Sequence, residues 1–411
     1  MIEIISRRNA LDLQKDLAAE GQEKTVRMSA LRALQRIQLQ TNLLSKTPRI
    51  SSAFRGLAAM ATTTDTKNYK FNHSMIPRNP VRFAPILSFK VLKVLKVLKV
   101  LKVLKVLAPI KFYEFLGMSL VKHLQFPEAK FDLYFLGYDS PSAVSHGNSP
   151  FDREGLIELT HNYGTENDDN YTINNGNKEP NRGFGHVCIS VDNIQAACNR
   201  IEEAGYKFQK KLTDGRMKNI AFALDPDGYW VEIVSLKIGT KGADDPNEPK
   251  EASQTDVSKY RMNHTMIRVK DAEKSLKFYR ETLGMSLFRT VEQSAAGFNL
   301  YFLGYPGEKG VPENGFTADQ EGLLELTWNY GTEKDGNFKY HDGNAQPQGF
   351  GHICVSVDNI DAACERFESL NANWKKRLTD GRMKNVAFLL DPDGYWVEVV
   401  QNEKFSGKDN F

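Results

Sequence analysis

Two histidines and two glutamates recur in each half of this sequence, within motifs that follow the same order both times. The residues are His73, Glu158, His186 and Glu232 in the first half, and His264, Glu325, His352 and Glu398 in the second. Imidazole nitrogens and carboxylate oxygens together suit divalent ions of intermediate hardness, such as Zn²⁺, Ni²⁺, Fe²⁺, Co²⁺ or Mn²⁺. The sequence therefore predicts metal sites that need no cysteine ligand.

Strand periodicity predicts where these side chains point. Successive residues of a strand face opposite sides, so the alternating apolar residues after His352 and around Glu398 define a core face. His352 and Glu398 then lie on the other face of their strands, and the same alternation holds for His264 and Glu325. We expect these non-core faces to line a concave cavity.

A tandem duplication organises the chain. The repeated motifs include Asn-His-X-Met-Ile at 72–76 and 263–267, Gly-Phe-Gly-His at 183–186 and 349–352, and Asp-Pro-Asp-Gly-Tyr-Trp-Val-Glu at 225–232 and 391–398. Hydrophobic periodicity predicts two strand-helix-strand-strand-strand modules in each half. The expected fold is therefore α+β, with four βαβββ modules forming curved sheets around the metal sites.

Composition predicts the domain boundaries. We expect a basic leader at 1–67, a first domain at 68–236, a Gly-, Pro- and charge-rich linker at 237–259 and a second domain at 260–403. The first domain contains an insertion at 77–111 that includes six Lys-Val-Leu triplets. A period of three leaves no continuous apolar face on a helix or a strand, which favours a repeat expansion or an error in the gene sequence over a membrane-binding helix.

Composition also excludes classes of partner. A net charge of +3 over 411 residues is too small for an electrostatic nucleic-acid surface, and no apolar run is long enough to span a bilayer. The four cysteines form no close pair, and their apolar neighbours predict buried, reduced thiols in an intracellular protein. We expect a small-molecule substrate, with no nucleic-acid or membrane partner.

The leader predicts a second destination for the protein. No Asp or Glu occurs from Thr25 to Thr64, whereas six Arg or Lys residues recur there among Ser, Ala and Leu. This composition is typical of an organellar transit peptide, most clearly if translation starts at Met28, and a disordered leader is the alternative. The expected compartment is the cytoplasm, with a mitochondrial form if the leader is used.

The motifs around the His and Glu residues resemble glyoxalase I of the vicinal oxygen chelate superfamily, and in particular its double-length fungal type. The resemblance runs from about Phe71 to Val400, broken only by the insertion. It implies a glyoxalase/bleomycin-resistance-like fold and lactoylglutathione lyase activity, which converts the methylglyoxal-glutathione hemithioacetal to S-lactoylglutathione. It also implies a divalent metal, Zn²⁺ or Ni²⁺, and glutathione as co-substrate.

The resemblance further implies how the residues combine. In single-length dimeric relatives each site lies between two subunits, so here the two halves of a monomer replace the subunits. One site would contain His186, Glu232, His264 and Glu325, and the other His73, Glu158, His352 and Glu398. By motif, Glu232 or Glu398 removes the substrate proton, and Glu325 or Glu158 helps to return it.

Substrate-binding residues also follow from the resemblance. Glutathione carries two carboxylates, and the residues expected to bind it at the His264 site are Arg268, Asn329, Arg182 and Lys210. At the other site Asn162 and Lys376 remain, but Pro77 and Gln348 stand where the two arginines stand. We therefore expect the His264 site to carry most or all of the activity.

Two other functions stay open at this point. An extradiol dioxygenase on the same fold would bind Fe²⁺ through two His and one carboxylate. A metal-free small-molecule-binding protein of the bleomycin-resistance kind would share the fold without the chemistry. The fourth metal ligand and the Arg and Lys set argue against the first alternative, and the eight repeated His and Glu residues argue against the second.

Overall fold

The computed structural model describes residues 69–77, 107–141, 143–168, 170–307, 310–381 and 383–410. Within these ranges the chain forms sixteen strands. They are β1 Lys70–Pro77, β2 Ser119–Phe126, β3 Phe131–Gly137, β4 Leu156–Asn162, β5 Phe184–Val191, β6 Phe208–Lys210, β7 Ile220–Leu224, β8 Trp230–Ser235, β9 Arg261–Val269, β10 Ser286–Gln293, β11 Phe298–Gly304, β12 Leu323–Asn329, β13 His352–Val357, β14 Asn373–Lys376, β15 Val386–Leu390 and β16 Trp396–Gln401.

Helices occupy the same place in every module, after its first strand. They are α1, helical at residues 107–115, α2 Ile194–Glu203, α3 Ala272–Lys277 and α4 Ile360–Ser369, and a short α5 Glu403–Ser406 follows β16. The predicted order of strand, helix and three strands is therefore confirmed in all four modules. Helix α3 continues into a π-helical turn, Phe278–Thr282.

Parts of the predicted organisation lie outside the described residues. These parts are the whole basic leader and most of the Lys-Val-Leu insertion. The described helix α1 already includes residues 107–111, which the sequence assigned to the end of the insertion. The first half thus has the helix that its second-half counterpart predicts at this place.

The strands form two sheets of eight, and each sheet takes one module from each half of the chain. The first sheet has the order β14-β15-β16-β13-β1-β4-β3-β2, and the second has the order β10-β11-β12-β9-β5-β8-β7-β6. The halves join where β1 pairs with β13 and where β5 pairs with β9, both antiparallel. The four central strands of each sheet therefore come from both halves.

Local sequence explains the helix starts. Asn193 and Asn359 precede α2 and α4, and each side chain accepts a hydrogen bond from the backbone N–H three residues later. Asp271 caps α3 in the same way. Asn and Asp are favoured at this position because their side-chain oxygens satisfy an N–H that lacks a partner within the helix.

Glycine allows the two halves to approach closely beside the sites. A Cβ on Gly185 would overlap the sulfur of Met266, and a Cβ on Gly351 would overlap the side chain of Met75. A side chain at either glycine would therefore have to displace the end of a methionine from the facing strand, β9 or β1. This close contact brings the following histidine against the other half.

Apolar residues of both sheets share one large buried core. The side chains of Phe184 and Phe350 stack within it, with ring centroids 4.6 Å apart and an interplanar angle of 12°. The loops before these residues also pair, because Asn174 N–H donates to Gln348 O over 2.8 Å and His341 N–H donates to Arg182 O over 2.7 Å. The two halves are thus joined by backbone hydrogen bonds and by aromatic packing.

The segment between the two halves packs against the first half. Asn193 Nδ2 donates to Pro249 O over 3.0 Å, and Gln195 Nε2 donates to Asp245 O over 2.8 Å. Three short 3-10 helices lie in this segment, at Gly242–Asp244, Ala252–Gln254 and Val257–Lys259. Backbone carbonyls of this segment therefore accept hydrogen bonds from side chains at the start of α2. Among the described helices, none has both the length and the apolarity to cross a membrane.

Candidate metal centres

Two clusters of four buried side chains lie on the central strands, one on each sheet. The His264 centre consists of His186 on β5, Glu232 on β8, His264 on β9 and Glu325 on β12. The His73 centre consists of His73 on β1, Glu158 on β4, His352 on β13 and Glu398 on β16. Within each cluster, one potential ligand atom from each residue lies within 4.8 Å of the others. The structure thus brings together the two sets of residues that the sequence predicts.

The His264 centre is compact. The Nε2 atoms of His186 and His264 are 3.2 Å apart. Glu232 Oε2 lies 3.4 Å from His186 Nε2 and 3.3 Å from His264 Nε2, while Glu325 Oε2 lies 3.1 Å from His264 Nε2. All four side chains are at least nine-tenths buried. Four polar atoms therefore face one point inside the protein.

The His73 centre has nearly the same geometry. The Nε2 atoms of His73 and His352 are 3.1 Å apart. His73 Nε2 lies 2.9 Å from Glu158 Oε2 and 3.0 Å from Glu398 Oε2, and His352 Nε2 lies 3.2 Å from Glu398 Oε2. His73 is fully buried. The duplication has therefore kept both clusters.

These separations fit ligands of a shared dication. Imidazole and carboxylate ligands lie about 2.1 Å from a first-row ion such as Zn²⁺, so two ligands at right angles are about 3.0 Å apart. Ionised carboxylates only accept hydrogen bonds, and a cation at their meeting point would satisfy them and the lone pairs of the imidazole nitrogens together. The donor set of either centre is thus suited to a divalent metal.

Electrostatics in the clusters favour a positive charge between the side chains. Burial lowers the pKa of His73, but Glu158 and Glu398 outweigh burial and raise the pKa to about 9. Burial raises the pKa of Glu398, but His352 and His73 outweigh burial and hold this pKa well below its ordinary value. The pKa of Glu232 is likewise held well below its ordinary value, because His186 and His264 outweigh the effect of burial. The carboxylates of Glu232 and Glu398 are therefore negatively charged near neutral pH.

Comparison with known proteins identifies the family. Residues 108–233 and 261–399 match the family model of the Glyoxalase/Bleomycin resistance protein/Dioxygenase superfamily. The chain is 46% identical to the lactoylglutathione lyase of Schizosaccharomyces pombe over 346 residues, which are 84% of this chain and 100% of that relative. The chain belongs to the glyoxalase I family. This membership makes it a lyase and implies a divalent metal.

Two further comparisons agree with this assignment to the glyoxalase I family. The chain is 48% identical to glyoxalase I of Saccharomyces cerevisiae over 298 residues, which cover 71% of this chain and 87% of that relative. A crystal structure of glyoxalase I from Zea mays matches with a TM-score of 0.53 and 25% identity, covering 82% of this chain and 94% of that chain. The duplicated α+β fold is thus that of glyoxalase I.

The segment Glu-Leu-Thr recurs at 158–160 and 325–327, and its threonine contacts its glutamate. Thr327 Oγ1 donates to Glu325 Oε1 over 3.1 Å, and Thr160 Oγ1 donates to Glu158 Oε1 over 3.3 Å. In each case the hydroxyl lies two residues along the same strand face and holds one carboxylate oxygen. The other oxygen, Oε2, is the one that faces the histidine.

The basic residues expected to bind glutathione at the His264 centre are held by backbone carbonyls. Arg268 is buried, and its Nη1 donates to Gly176 O, Gly183 O and Phe184 O at 3.0 to 3.2 Å. Lys210 Nζ donates to Met217 O and Ile220 O, each at 2.7 Å. Burial lowers the pKa of both groups. These contacts fix the two cations in position.

The two remaining candidates at the His264 centre are Asn329 and Arg182. Asn329 Nδ2 donates to the hydroxyl of Tyr340 over 2.8 Å. The side chain of Arg182 is 38% exposed and pairs with Glu179 at 3.2 Å. Nearby Arg182 adds to the effect of burial in lowering the pKa of Arg268. The two guanidinium groups are therefore close enough for the charge of Arg182 to affect the pKa of Arg268.

The His73 centre keeps only part of this set. Lys376 Nζ donates to Met383 O and Val386 O, each at 2.6 Å, as its counterpart Lys210 does. Asn162 is partly buried at the end of β4. Gln348 is exposed, and Pro77, the last residue of β1, has no N–H to donate. The two centres are thus equal in potential metal ligands and unequal in neighbouring cations.

Sequence reasoning missed residues that surround the ligands. Every histidine of the two clusters has an edge-on contact with a phenylalanine, at centroid distances of 5.2 to 5.5 Å; the four are Phe135, Phe222, Phe302 and Phe388. Each phenylalanine lies directly opposite a cluster glutamate in the sheet register. These phenylalanines recur in the duplicated modules, which is the sequence feature that could have indicated them. Their contacts with the histidines and glutamates, however, follow only from the pairing register of the strands.

The sequence also predicted buried, reduced cysteines. All four are free, and Cys188, Cys198 and Cys354 are buried, whereas Cys364 is partly exposed. Cys188 and Cys354 lie on central strands, whereas Cys198 and Cys364 lie at equivalent places on helices α2 and α4. No disulfide joins these four residues.

Proposed function

We propose that the chain isomerises the hemithioacetal of methylglyoxal and glutathione to S-lactoylglutathione at a metal centre shared between its two halves. The observation that carries the proposal is the convergence of two imidazole Nε2 atoms and two carboxylates in a glyoxalase I family member. The ligands are His186, Glu232, His264 and Glu325 in the His264 centre, and His73, Glu158, His352 and Glu398 in the His73 centre. Zn²⁺ is the proposed ion, and Ni²⁺ is the alternative that the same ligands accept.

The reaction moves a proton from C1 to C2 of the substrate. A dication held by these ligands supplies an electrophile for the negative charge that develops on the substrate oxygens. We assign removal of the C1 proton to Glu232, a buried carboxylate of the His264 centre. Glu325, on the other half of the chain, assists its return to C2. In the His73 centre Glu398 and Glu158 have the same roles.

The substrate is positioned by fixed cations. We assign the glutathione carboxylates to Arg268, Arg182 and Lys210, with Asn329 as a polar contact. The carbonyls around Arg268 and Lys210 restrict both side chains before substrate arrives, which lowers the entropy cost of binding. Glutathione as co-substrate accounts for this basic set, which a small neutral substrate would not need.

The His264 centre carries most or all of the turnover in this proposal. It has Arg268 and Arg182 at positions where the His73 centre has Pro77 and Gln348. Asn162 and Lys376 alone would bind glutathione more weakly at the His73 centre. The unequal distribution of positive charge is the support for this assignment.

An absorbance assay of thioester formation tests the proposed activity. Purified full-length chain is mixed with methylglyoxal and glutathione, before and after treatment with a strong chelator. We expect activity that the chelator removes and that Zn²⁺ or Ni²⁺ restores. A protein that binds a divalent metal but forms no thioester would contradict the proposal, and a protein that binds no metal would favour a binding role.

Location and assembly complete the proposal. We infer a monomer in which residues 68–236 and 260–403 replace the two subunits of a dimeric enzyme. We place this monomer in the cytoplasm, with a mitochondrial form if the leader at 1–67 is used. Light scattering of the purified chain and fractionation of cells that express it with and without residues 1–27 test these two inferences.

A further inference from the structure

In each centre, one histidine lies on the first strand of its half of the chain, β1 or β9, and the Nδ1 atom of this histidine is within hydrogen-bond distance of the side chain of the preceding residue. His264 Nδ1 lies 2.7 Å from Asn263 Oδ1, and His73 Nδ1 lies 2.6 Å from Asn72 Oδ1. Both asparagines are buried, with at most 1% of their surface exposed. A buried amide with a fixed partner in both copies of a repeat points to a role beyond strand formation.

The rest of each amide fixes its orientation. Asn263 Nδ2 donates to Thr317 O over 2.7 Å and to Gln320 O over 2.8 Å. Carbonyl oxygens only accept hydrogen bonds, so the amide nitrogen must face them and the amide oxygen must face His264. An amide oxygen also only accepts, so Nδ1 of His264 carries the proton. In the neutral ring, Nε2 is therefore the nitrogen with the free lone pair.

The His73 centre repeats this arrangement with different loop residues. Asn72 Nδ2 donates to Pro150 O over 2.7 Å and to Arg153 O over 3.0 Å. In both centres the loop that accepts these bonds leads into the strand that carries the cluster glutamate, β4 or β12. Each asparagine thus hydrogen-bonds to the histidine that follows it and to the loop that precedes the strand with the cluster glutamate.

We propose that Asn263 and Asn72 are positioning residues that set the tautomer and ring orientation of His264 and His73, so that Nε2 is directed at the ion. This inference rests on the proposed metal sites and deepens them. A hydrogen bond to the distal nitrogen of a metal-bound histidine fixes its ring and increases its donor strength, and removal of such a bond lowers metal affinity by about 10- to 100-fold.

The simplest competing role for Asn263 is to anchor the loop at Thr317 and Gln320. Two substitutions separate the roles. Asn263→Leu removes both the acceptor for His264 and the donors for the loop. Asn263→Asp removes the donors but keeps an acceptor for Nδ1. A loop anchor predicts the same loss for both variants, whereas a positioning residue predicts that only the leucine variant loses metal affinity.

The experiment uses the full chain with His73→Ala and His352→Ala, so that only the His264 centre can bind. Co²⁺ affinity is measured by competition with a chromophoric chelator, and the visible absorption of bound Co²⁺ reports ligand geometry. We expect N263L to weaken Co²⁺ binding by about 10- to 100-fold and to alter the spectrum, and N263D to stay within about threefold of the parent. Asn72→Leu is the matched control and should change neither.

Equal affinity of N263L and the parent, or equal loss in N263L and N263D, would overturn the positioning role. Asn263→Ala provides a second variant if N263L does not fold. Thermal unfolding of the metal-free proteins measures the loop contribution separately, because both variants lose the bonds to Thr317 and Gln320. A parent that binds no Co²⁺ would overturn the metal site itself, while a parent that binds Co²⁺ isolates the test of Asn263.

Discussion

Tyr395 donates a hydrogen bond from its hydroxyl to the carbonyl oxygen of Arg268 over 3.2 Å. Tyr395 precedes the strand that carries a glutamate of the His73 centre, whereas Arg268 is on the histidine strand of the His264 centre. The counterpart of Tyr395 in the repeat, Tyr229, has a buried hydroxyl with no hydrogen-bond partner in the part of the chain that the structure describes. Pro77 occupies the position equivalent to Arg268. The duplication is therefore asymmetric at a residue expected to bind substrate.

The first prediction concerns the unequal centres. We expect the double variant Glu232→Gln and Glu325→Gln to retain less than about a tenth of wild-type turnover, because general acid-base catalysis alone contributes about 10²- to 10⁴-fold. The matched double variant Glu158→Gln and Glu398→Gln should keep most of the turnover. Steady-state rates of thioester formation measure both, and more than half of the activity in the first variant would contradict the assignment.

The second prediction restores the missing cation. In the Glu232→Gln and Glu325→Gln background, we expect Pro77→Arg to raise kcat/KM of the His73 centre by about tenfold or more, since a hydrogen bond to a charged group contributes about 1.5 to 3 kcal/mol. The substitution also supplies the N–H that Arg268 donates to Gly183 O over 3.1 Å in the other half.

Pro77→Ala is the control for this gain, because it restores the N–H without the charge. A gain of the same size in the alanine variant would assign the effect to the backbone and not to substrate binding. An unchanged kcat/KM in both variants would show that position 77 does not limit this centre.

The third prediction is a pH dependence of stability. Burial raises the pKa of Glu154 from 4.5 to about 7, with Lys70 lowering it and Glu321 raising it. The folded state then binds this proton more tightly than the unfolded state does, so stability falls as pH rises from about 4.5 to 7. Glu154→Gln removes the effect.

We expect E154Q to equal the wild type in unfolding free energy at pH 4 and to exceed it by about 1 to 2 kcal/mol at pH 8, allowing for solvent screening of this partly buried group. Denaturant unfolding at several pH values measures the difference. Glu128→Gln, at an exposed position, is the control. Parallel profiles for E154Q and the wild type would rule out the assigned pKa.

The fourth prediction concerns the aromatic contact between the halves. Phe184 and Phe350 are both 1% exposed, and truncation of a fully buried Phe to Ala costs about 3 to 5 kcal/mol. We therefore expect F184A and F350A each to lower the unfolding free energy by that amount. Phe405 is 56% exposed, so F405A should change it by less than about 0.5 kcal/mol. Similar losses in all three variants would argue against a specific contact.

Features that depend only on residue type and on strand period could be predicted from the sequence. Alternation along single strands put His352 and Glu398 on the face away from the core, and the repeated motifs indicated four equivalent modules. The combination of ligands from different halves came from family resemblance. Strand period alone does not specify which module pairs with which, because β1 pairs with β13 across the whole length of the chain.

Other features depend on register and long-range contact. Asn263 binds backbone carbonyls more than fifty residues later in the chain, and Phe302 meets Glu325 only through the pairing of β11 with β12. The segment between the halves was predicted from its polar composition, but the hydrogen bonds that hold it to α2 depend on tertiary structure. The local sequence pattern does not predict such distant partners.

Anomalous diffraction from crystals of the full chain grown with Zn²⁺, recorded at the zinc edge, tests the shared-centre claim most directly. We expect a peak bounded by His186, Glu232, His264 and Glu325, and a second bounded by His73, Glu158, His352 and Glu398. Zinc bound by residues of only one half, or at neither cluster, would contradict the account.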